Sequence, residues 1–116
     1  AAAKKHIEAL LVLPSAVFNS NRKEIVDLAA KSRWPGMYLR VEYVEDGGLM
    51  TYGASTTDLF RRAAIYVDKI LKGAKPGNLP VEQPVKFDLL FNLKAAKQIG
   101  VVIPEKVLAR ADRVIR

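Results

Sequence analysis

Cysteine is absent from the 116-residue chain, which excludes disulfides, thiolate metal sites and cysteine nucleophiles. Histidine occurs once, as His6. A single imidazole beside Lys4 and Lys5, with no thiolate to join it, makes no transition-metal site, so His6 is expected to be a solvated residue of a surface helix. Glu45 and Asp46 would need further carboxylates to hold calcium or magnesium. The signatures of catalysis are missing too. There is no Gly-x-Ser-x-Gly elbow and no glycine-rich loop ending in Lys-Ser/Thr, and Gly47, Gly48 and Gly53 do not fit a dinucleotide fingerprint. These absences argue against an enzyme and against any metal or cofactor. No apolar run approaches the ~20 residues of a membrane-spanning helix, so membrane insertion is not expected. No segment reads as a signal peptide; if a parent protein is exported, its targeting segment lies outside these residues.

What is present is the composition of a folded domain. Hydrophobic residues make up 50% and charged residues 27%, which argues against disorder, and the length suits one domain. The net charge of +7, from 19 Lys and Arg against 12 Asp and Glu, raises the question of a polyanionic partner. Phosphate binding needs clustered cations, yet the tightest groups are the pairs Lys4–Lys5, Arg22–Lys23 and Arg61–Arg62. The last pair has Asp58 at helical reach. Net charge alone speaks to solubility and association, so a nucleic-acid-binding module is the weakest of the readings considered and no nucleic-acid partner is expected.

The periodicities alternate between strand and helix. Residues 1–8 favour helix by propensity. Residues 9–13 (ALLVL) form a continuous apolar run closed by Pro14, the pattern of a parallel strand buried on both faces. Asn19, Ser20 and Asn21 offer N-cap oxygens for a helix over 21–32, with Ile25, Leu28, Ala29 and Ser32 at helical spacing. Trp34, Pro35 and Gly36 break it, and 37–39 is a second strand, completing a βαβ unit. In residues 41–46 the alternation of Val41 and Tyr43 suggests a strand, while Gly47 and Gly48 suggest a helix C-cap and favour one helical turn; 49–52 read as a strand ended by Gly53. Ser55, Thr56 and Thr57 cap the clearest helix, 58–72, with a stripe of Leu59, Ala63, Val67 and Ile70 and Gly73 beyond its end. The proline-rich stretch 75–84 is an extended crossing segment. Residues 86–91 are a strand, Asn92 caps a helix over 93–99 that Gly100 ends, 101–103 is extended, Pro104 opens a last helix, and 112–116 finish the chain.

In open parallel sheets, ligands bind beyond the carboxyl ends of strands, which singles out two loops. In the loop 14–19, Ser15 can donate to a ligand carboxylate, and Ala16 lies among backbone N–H groups that favour an anion; the plain alternative is a helix cap and a rigid turn. In the stretch 47–53, glycines permit close backbone approach. Gly48 and Tyr52 are the candidates there, with Tyr43 and Tyr38 after them; the plain alternative is that the glycines serve turns and the tyrosines pack a core. Trp34 is expected in core or hinge packing, and Glu82 and Gln83 in surface or hinge hydrogen bonds.

One family matches these residues in order. LVLP at 11–14, Tyr38, EYVE at 42–45 and GGLMTYG at 47–53 resemble the end of a group of ABC-transporter substrate-binding proteins. DLFRRAA at 58–64, YVDKILKGAKP at 66–76, LPVEQP at 79–84, NLKAAK at 92–97, Ile103-Pro104 and Arg110, Ala111 and Asp112 continue the resemblance over nearly the whole chain. The chain departs from that pattern at 14–18, where an acidic or hydroxyl residue and bulky aromatics are usual, and at Val41, where an arginine is common. The resemblance implies a type I, two-lobed periplasmic-binding-protein architecture, of which this is the C-terminal third. Residues 1–53 would end the second lobe, and 54–116 would form the crossover and complete the first. It implies a small solute such as an amino acid, bound at the strand-end loops for an ABC permease reached through the full-length protein, in a periplasmic or other extracytoplasmic setting. The expected fold class is a three-layer α/β parallel-sheet domain, periplasmic-binding-protein-like or flavodoxin-like. Fragments of two lobes leave sheet edges and apolar faces uncovered, and domain swapping covers them at low cost. A homodimer is therefore expected, and the competing function is a stand-alone dimerising module without solute binding.

Overall fold

The computed structural model describes residues 7–116. His6 and the larger part of the helix expected over 1–8 lie outside the described residues; Ile7 and Glu8 belong to no regular element. In chain order the elements are β1 (Leu10–Val12), α1 (Ala16–Ser20), α2 (Arg22–Lys31), β2 (Gly36–Tyr38), α3 (Val41–Glu45), β3 (Met50–Ala54), α4 (Thr56–Leu71), a 3-10 turn (Pro76–Asn78), β4 (Phe87–Asn92), α5 (Leu93–Ile99), α6 (Glu105–Leu108) and β5 (Arg113–Ile115). The fold is α/β, a five-stranded sheet in the order β1-β2-β3-β4-β5 with helices between the strands. The chain divides into two compact units: residues 1–53 with 88–116, and residues 54–87.

The first unit is the sheet and its helices. β1 and β2 run parallel, with Leu10 opposite Gly36 and Val12 opposite Tyr38; β2 and β3 are parallel, with Tyr38 opposite Thr51; β4 and β5 are parallel, with Phe91 opposite Val114. Residues 88–116 contribute β4, α5, α6 and β5 to the same unit as β1–β3. Two apolar clusters hold the unit together. Val12, Val26, Tyr38 and Tyr43 form one, with Leu10 and Ile25 against it; Leu49, Ala96 and Ile99 form the other, with Met50, Val101 and Ile103.

Several local expectations are corrected. β1 is not buried on both faces: Leu11 is 57% exposed, while Val12 on the opposite face is buried. The helix α2 buries Val26 and Ala29 rather than Leu28. The loop 14–19 contains a helix, α1, and Asn21 donates its side-chain amide to the Val17 carbonyl at 2.8 Å instead of capping α2. Gly53 lies within β3 rather than ending it; a Cβ there would stand 2.3 Å from the Leu39 carbonyl oxygen, so only glycine permits the approach. Pro104 is the N-cap of α6, not its first residue, and the chain closes with a strand, β5.

Asn92 is the polar joint of this unit. Its side-chain oxygen accepts from the Ala95 N–H at 3.1 Å, capping α5, while its amide donates to the Val44 carbonyl at 3.2 Å and its backbone N–H to Leu49 O at 2.9 Å. α5 then ends at Gly100, whose φ of 80° is the left-handed C-terminal conformation.

The second unit is α4 and the strand-like segment after it. Ser55 stands at the N-cap, Asp58 in the first turn and Lys69 in the last, as the helix dipole favours. Gly73 follows with φ of 104°. The segment 79–86 then returns along the helix: Tyr66 donates its hydroxyl to the Pro80 carbonyl at 2.6 Å, Arg62 pairs with Glu82, and Ser55 N–H bonds Lys86 O at 2.9 Å.

Candidate functional site

The carboxyl ends of β1 and β2 lie side by side, because parallel pairing aligns Val12 with Tyr38. The chain leaving β1 passes Ser15 into α1 and on to Arg22; the chain leaving β2 passes Arg40 into α3. Asn19, Arg22, Arg40, Glu42 and Tyr43 thereby line one small polar cavity of about 80 Å³. That volume holds a few water molecules or one small head group, well below the ~300–1,000 Å³ of a cleft that engulfs a ligand.

Tyr43 is the fixed member. It is buried, stacks on Tyr38 at a centroid distance of 4.8 Å, and donates its hydroxyl to Asn19 Oδ1 at 3.1 Å. Burial raises its pKa. Arg40 and Glu42 face each other in a two-point pair, with Nη2 to Oε1 at 2.6 Å and Nε to Oε2 at 3.3 Å. The hydrogen bond from Arg40 holds the Glu42 carboxyl below its ordinary range, and the same bond raises Arg40. Arg22 is tied to Asp46 across 24 residues of sequence. Its charge also reaches Glu42 and Tyr43.

The residues expected to meet a ligand separate into two sets. Ser15 is half-buried at the N-cap of α1, makes no side-chain capping bond, and precedes the exposed Ala16. Both stand at the carboxyl end of β1, where a ligand would lie. Tyr52 is 47% exposed on β3. Tyr38 and Gly48, by contrast, are packed together. Tyr38 is 1% exposed, and a Cβ on Gly48 would meet its ring at 2.6 Å. Gly48 also precedes β3 at its amino end, opposite the strand ends where ligands bind. These two residues shape the core beneath Tyr43 rather than meeting solvent.

The sequence reading missed Asn19, Arg22, Arg40 and Glu42. Their separation of about 20 residues becomes contact only through the β1–β2 register. The available signal was position, and only for one pair: Arg40 and Glu42 follow directly on β2, whereas Asn19 and Arg22 lie beyond β1 in α1 and α2.

A larger cavity of about 400 Å³ lies within the second unit, between α4 (Leu59, Ala63, Tyr66) and the returning segment (Leu79, Pro80, Glu82). Its polar groups are paired with one another: Arg62 with Glu82, and Tyr66 with a backbone carbonyl. Among the described residues no group of three or more His, Asp or Glu side chains could hold a metal ion, and no helix is long and apolar enough to cross a membrane.

Comparison with known proteins gives a consistent picture. A family model described as ABC transporter substrate binding protein matches residues 1–115. Among solved structures, a conserved domain protein from Vibrio cholerae O1 biovar El Tor is 32% identical with a TM-score of 0.86, covering 92% of this chain and 36% of that one. An ABC domain from Streptococcus pneumoniae in complex with L-Trp is 30% identical with a TM-score of 0.84, covering 95% of this chain and 38% of that one. The ligand-free, open structure of a substrate-binding protein with adhesive properties from Clostridium difficile shares the fold at 22% identity and a TM-score of 0.67, over 94% of this chain and 36% of its own. The chain spans little more than a third of the length of these structures. No curated protein matches it.

Proposed function

Because the chain belongs to the ABC transporter substrate-binding protein family, we propose that it is the solute-binding part of an importer and holds a small organic solute, such as an amino acid, at the carboxyl ends of β1 and β2. The observation that carries this reading is the polar cavity of Asn19, Arg22, Arg40, Glu42 and Tyr43 at that edge, where parallel sheets bind ligands. The bound L-Trp of the Streptococcus pneumoniae relative supports an amino acid as the solute class. Ser15 and Ala16 follow the carboxyl end of β1, and Tyr52 offers a ring with a polar tip. The setting is extracytoplasmic, the permease is engaged through the full-length protein, and the role is binding rather than catalysis. In the two-lobed architecture, the sheet unit belongs to the second lobe and residues 54–87 are the crossing piece.

The test is a thermal-shift screen against amino acids and small organic acids. A ligand that binds only the folded state raises apparent stability by ~2.7 kcal/mol at a hundredfold excess over its dissociation constant. A shift with one solute class supports the reading; no shift with any of them overturns it.

A second reading is favoured by α4. No residue of this 16-residue helix is buried, although Phe60, Ile65, Val67, Ile70 and Leu71 are all apolar and exposed. Phe60, Val67 and Leu71 share one face by their spacing, and a second copy covering it, in a domain-swapped homodimer, would make the chain an assembly module.

A further inference from the structure

We propose that the groove between α4 and the returning segment is a separate binding site for a small hydrophobic carboxylate, its apolar body lying along the helix and its charge meeting Lys69 and Arg62. The site lies wholly within residues 54–87 and does not depend on the strand ends of the sheet.

Three observations carry it. First, the groove has the size of a ligand site: its volume of about 400 Å³ falls within the ~300–1,000 Å³ of small-molecule clefts. Second, its walls are apolar and held apart. Leu59, Ala63, Tyr66 and Ile70 form one stripe along α4 at helical spacing, and Leu79, Pro80 and Val81 supply the other wall. Two struts cross the gap: the Tyr66 hydroxyl donates to the Pro80 carbonyl at 2.6 Å, and Arg62 pairs with Glu82. The segment is thereby fixed beside the helix without filling the space, and Leu59 and Ile70 each stay 40% exposed. An apolar body in the groove is stabilised by removing that surface from water. Third, the charge at the rim is unbalanced. Arg62 has one carboxylate partner, Glu82. Lys69 stands beside them, its ammonium 5.6 Å from the centre of the Tyr66 ring and its charge reaching Glu82. It belongs to no ion pair among the described residues.

That imbalance selects the occupant. Two cations against one carboxylate leave room for one further negative charge at the rim. A hydrophobic carboxylate supplies it and fills the apolar slot at once. A neutral alcohol of the same length gains the apolar contact alone, and an alkylammonium is repelled by the excess cation. The groove is also distinct from the face on which a second copy is considered. Phe60, Val67 and Leu71 lie on the adjoining side of α4, so dimerisation and ligand binding can be told apart.

The experiment is calorimetric titration of the chain and its A63F and K69E variants with octanoate, octanol and octylamine. A63F puts a ring into the groove from an exposed position, and K69E reverses the unpaired charge at the rim. Circular dichroism checks that both variants fold. Octanoate is expected to bind the unaltered chain, with octanol and octylamine weaker by about fivefold or more, the worth of a charge pair at an exposed rim. A63F is expected to weaken octanoate by about tenfold or more through the clash it builds. K69E is expected to weaken octanoate by about fivefold and to leave octanol unchanged. No octanoate binding to the unaltered chain overturns the proposal, and so does binding that A63F leaves intact. Octanol as tight as octanoate, or octanoate affinity unmoved by K69E, overturns the carboxylate as the occupant. Octanoate binding that vanishes as chain concentration rises assigns the groove to a second copy instead. None of these outcomes decides whether a solute binds at the ends of β1 and β2.

Discussion

At the scale of single residues, the tightest constraints in the sheet unit come from backbone contact. A methyl group on Gly53 would stand 2.3 Å from the Leu39 carbonyl oxygen and 3.0 Å from its carbon. Backbone in a packed sheet cannot withdraw, so G53A is expected to destabilise by about 1–3 kcal/mol. G77A is the control, because a Cβ there meets nothing within 4 Å. Paired urea denaturations should show a lower midpoint for the first and little change for the second. Tyr38 gives a pH-dependent counterpart. Its burial, and to a lesser degree the nearby Tyr43, push its pKa up from 10.0 to about 12. A folded-state value above the unfolded one means that the stability it confers is complete below pH 10 and is lost as pH rises from about 10 toward 12. Two units correspond to roughly 2–3 kcal/mol. The melting temperature is therefore expected to fall across that alkaline window, and less steeply in Y38F, with absorbance of the tyrosinate as the check.

At the scale of elements, what the sequence made legible was whatever is decided locally. α5 begins after Asn92 and ends before Gly100 as expected, because its cap and its left-handed terminus are both written in adjacent residues. The same holds for α4 between Ser55 and Gly73, and for the short turn of α3. Elements decided by distant partners were not legible. β5 is three residues, Arg113–Ile115, flanked by charges, and is a strand only because β4 pairs with it. α1 was hidden behind Pro14 and Ser15, which read equally well as a loop. The grouping around the small polar cavity was not legible for the same reason: Asn19 and Arg22 meet Arg40, Glu42 and Tyr43 through sheet register, not through spacing in a motif. Asn92 shows how one polar residue joins such elements, since it caps α5 and also binds the Val44 carbonyl in the last turn of α3. N92A removes the cap and leaves a buried carbonyl without its donor, and is expected to cost about 1–3 kcal/mol. N92D keeps the capping oxygen but not the amide donor. Its midpoint in chemical denaturation is expected to lie between those of the unaltered chain and N92A if both bonds contribute.

At the scale of the whole molecule, the question is what covers α4. Its sequence has the apolar stripe of a helix that packs against something, yet within the chain none of its residues is buried: Phe60 is 73% exposed and Leu71 82%. Exposed apolar surface on that scale marks an interaction face, and a dimer of this chain supplies one without any other component. If two copies cover it, folding and association are linked, and stability depends on protein concentration by mass action. Light scattering at micromolar concentration is then expected to give twice the 12.8 kDa mass of the chain, and the melting temperature is expected to rise with each tenfold increase in concentration. The F60K/L71K double variant places two charges on the same helix and is expected to shift the mass toward the monomer while the far-UV circular dichroism retains its helical content. A monomer at all concentrations, with a melting temperature that does not move, would remove the assembly reading and leave the solute-binding reading at the ends of β1 and β2 standing.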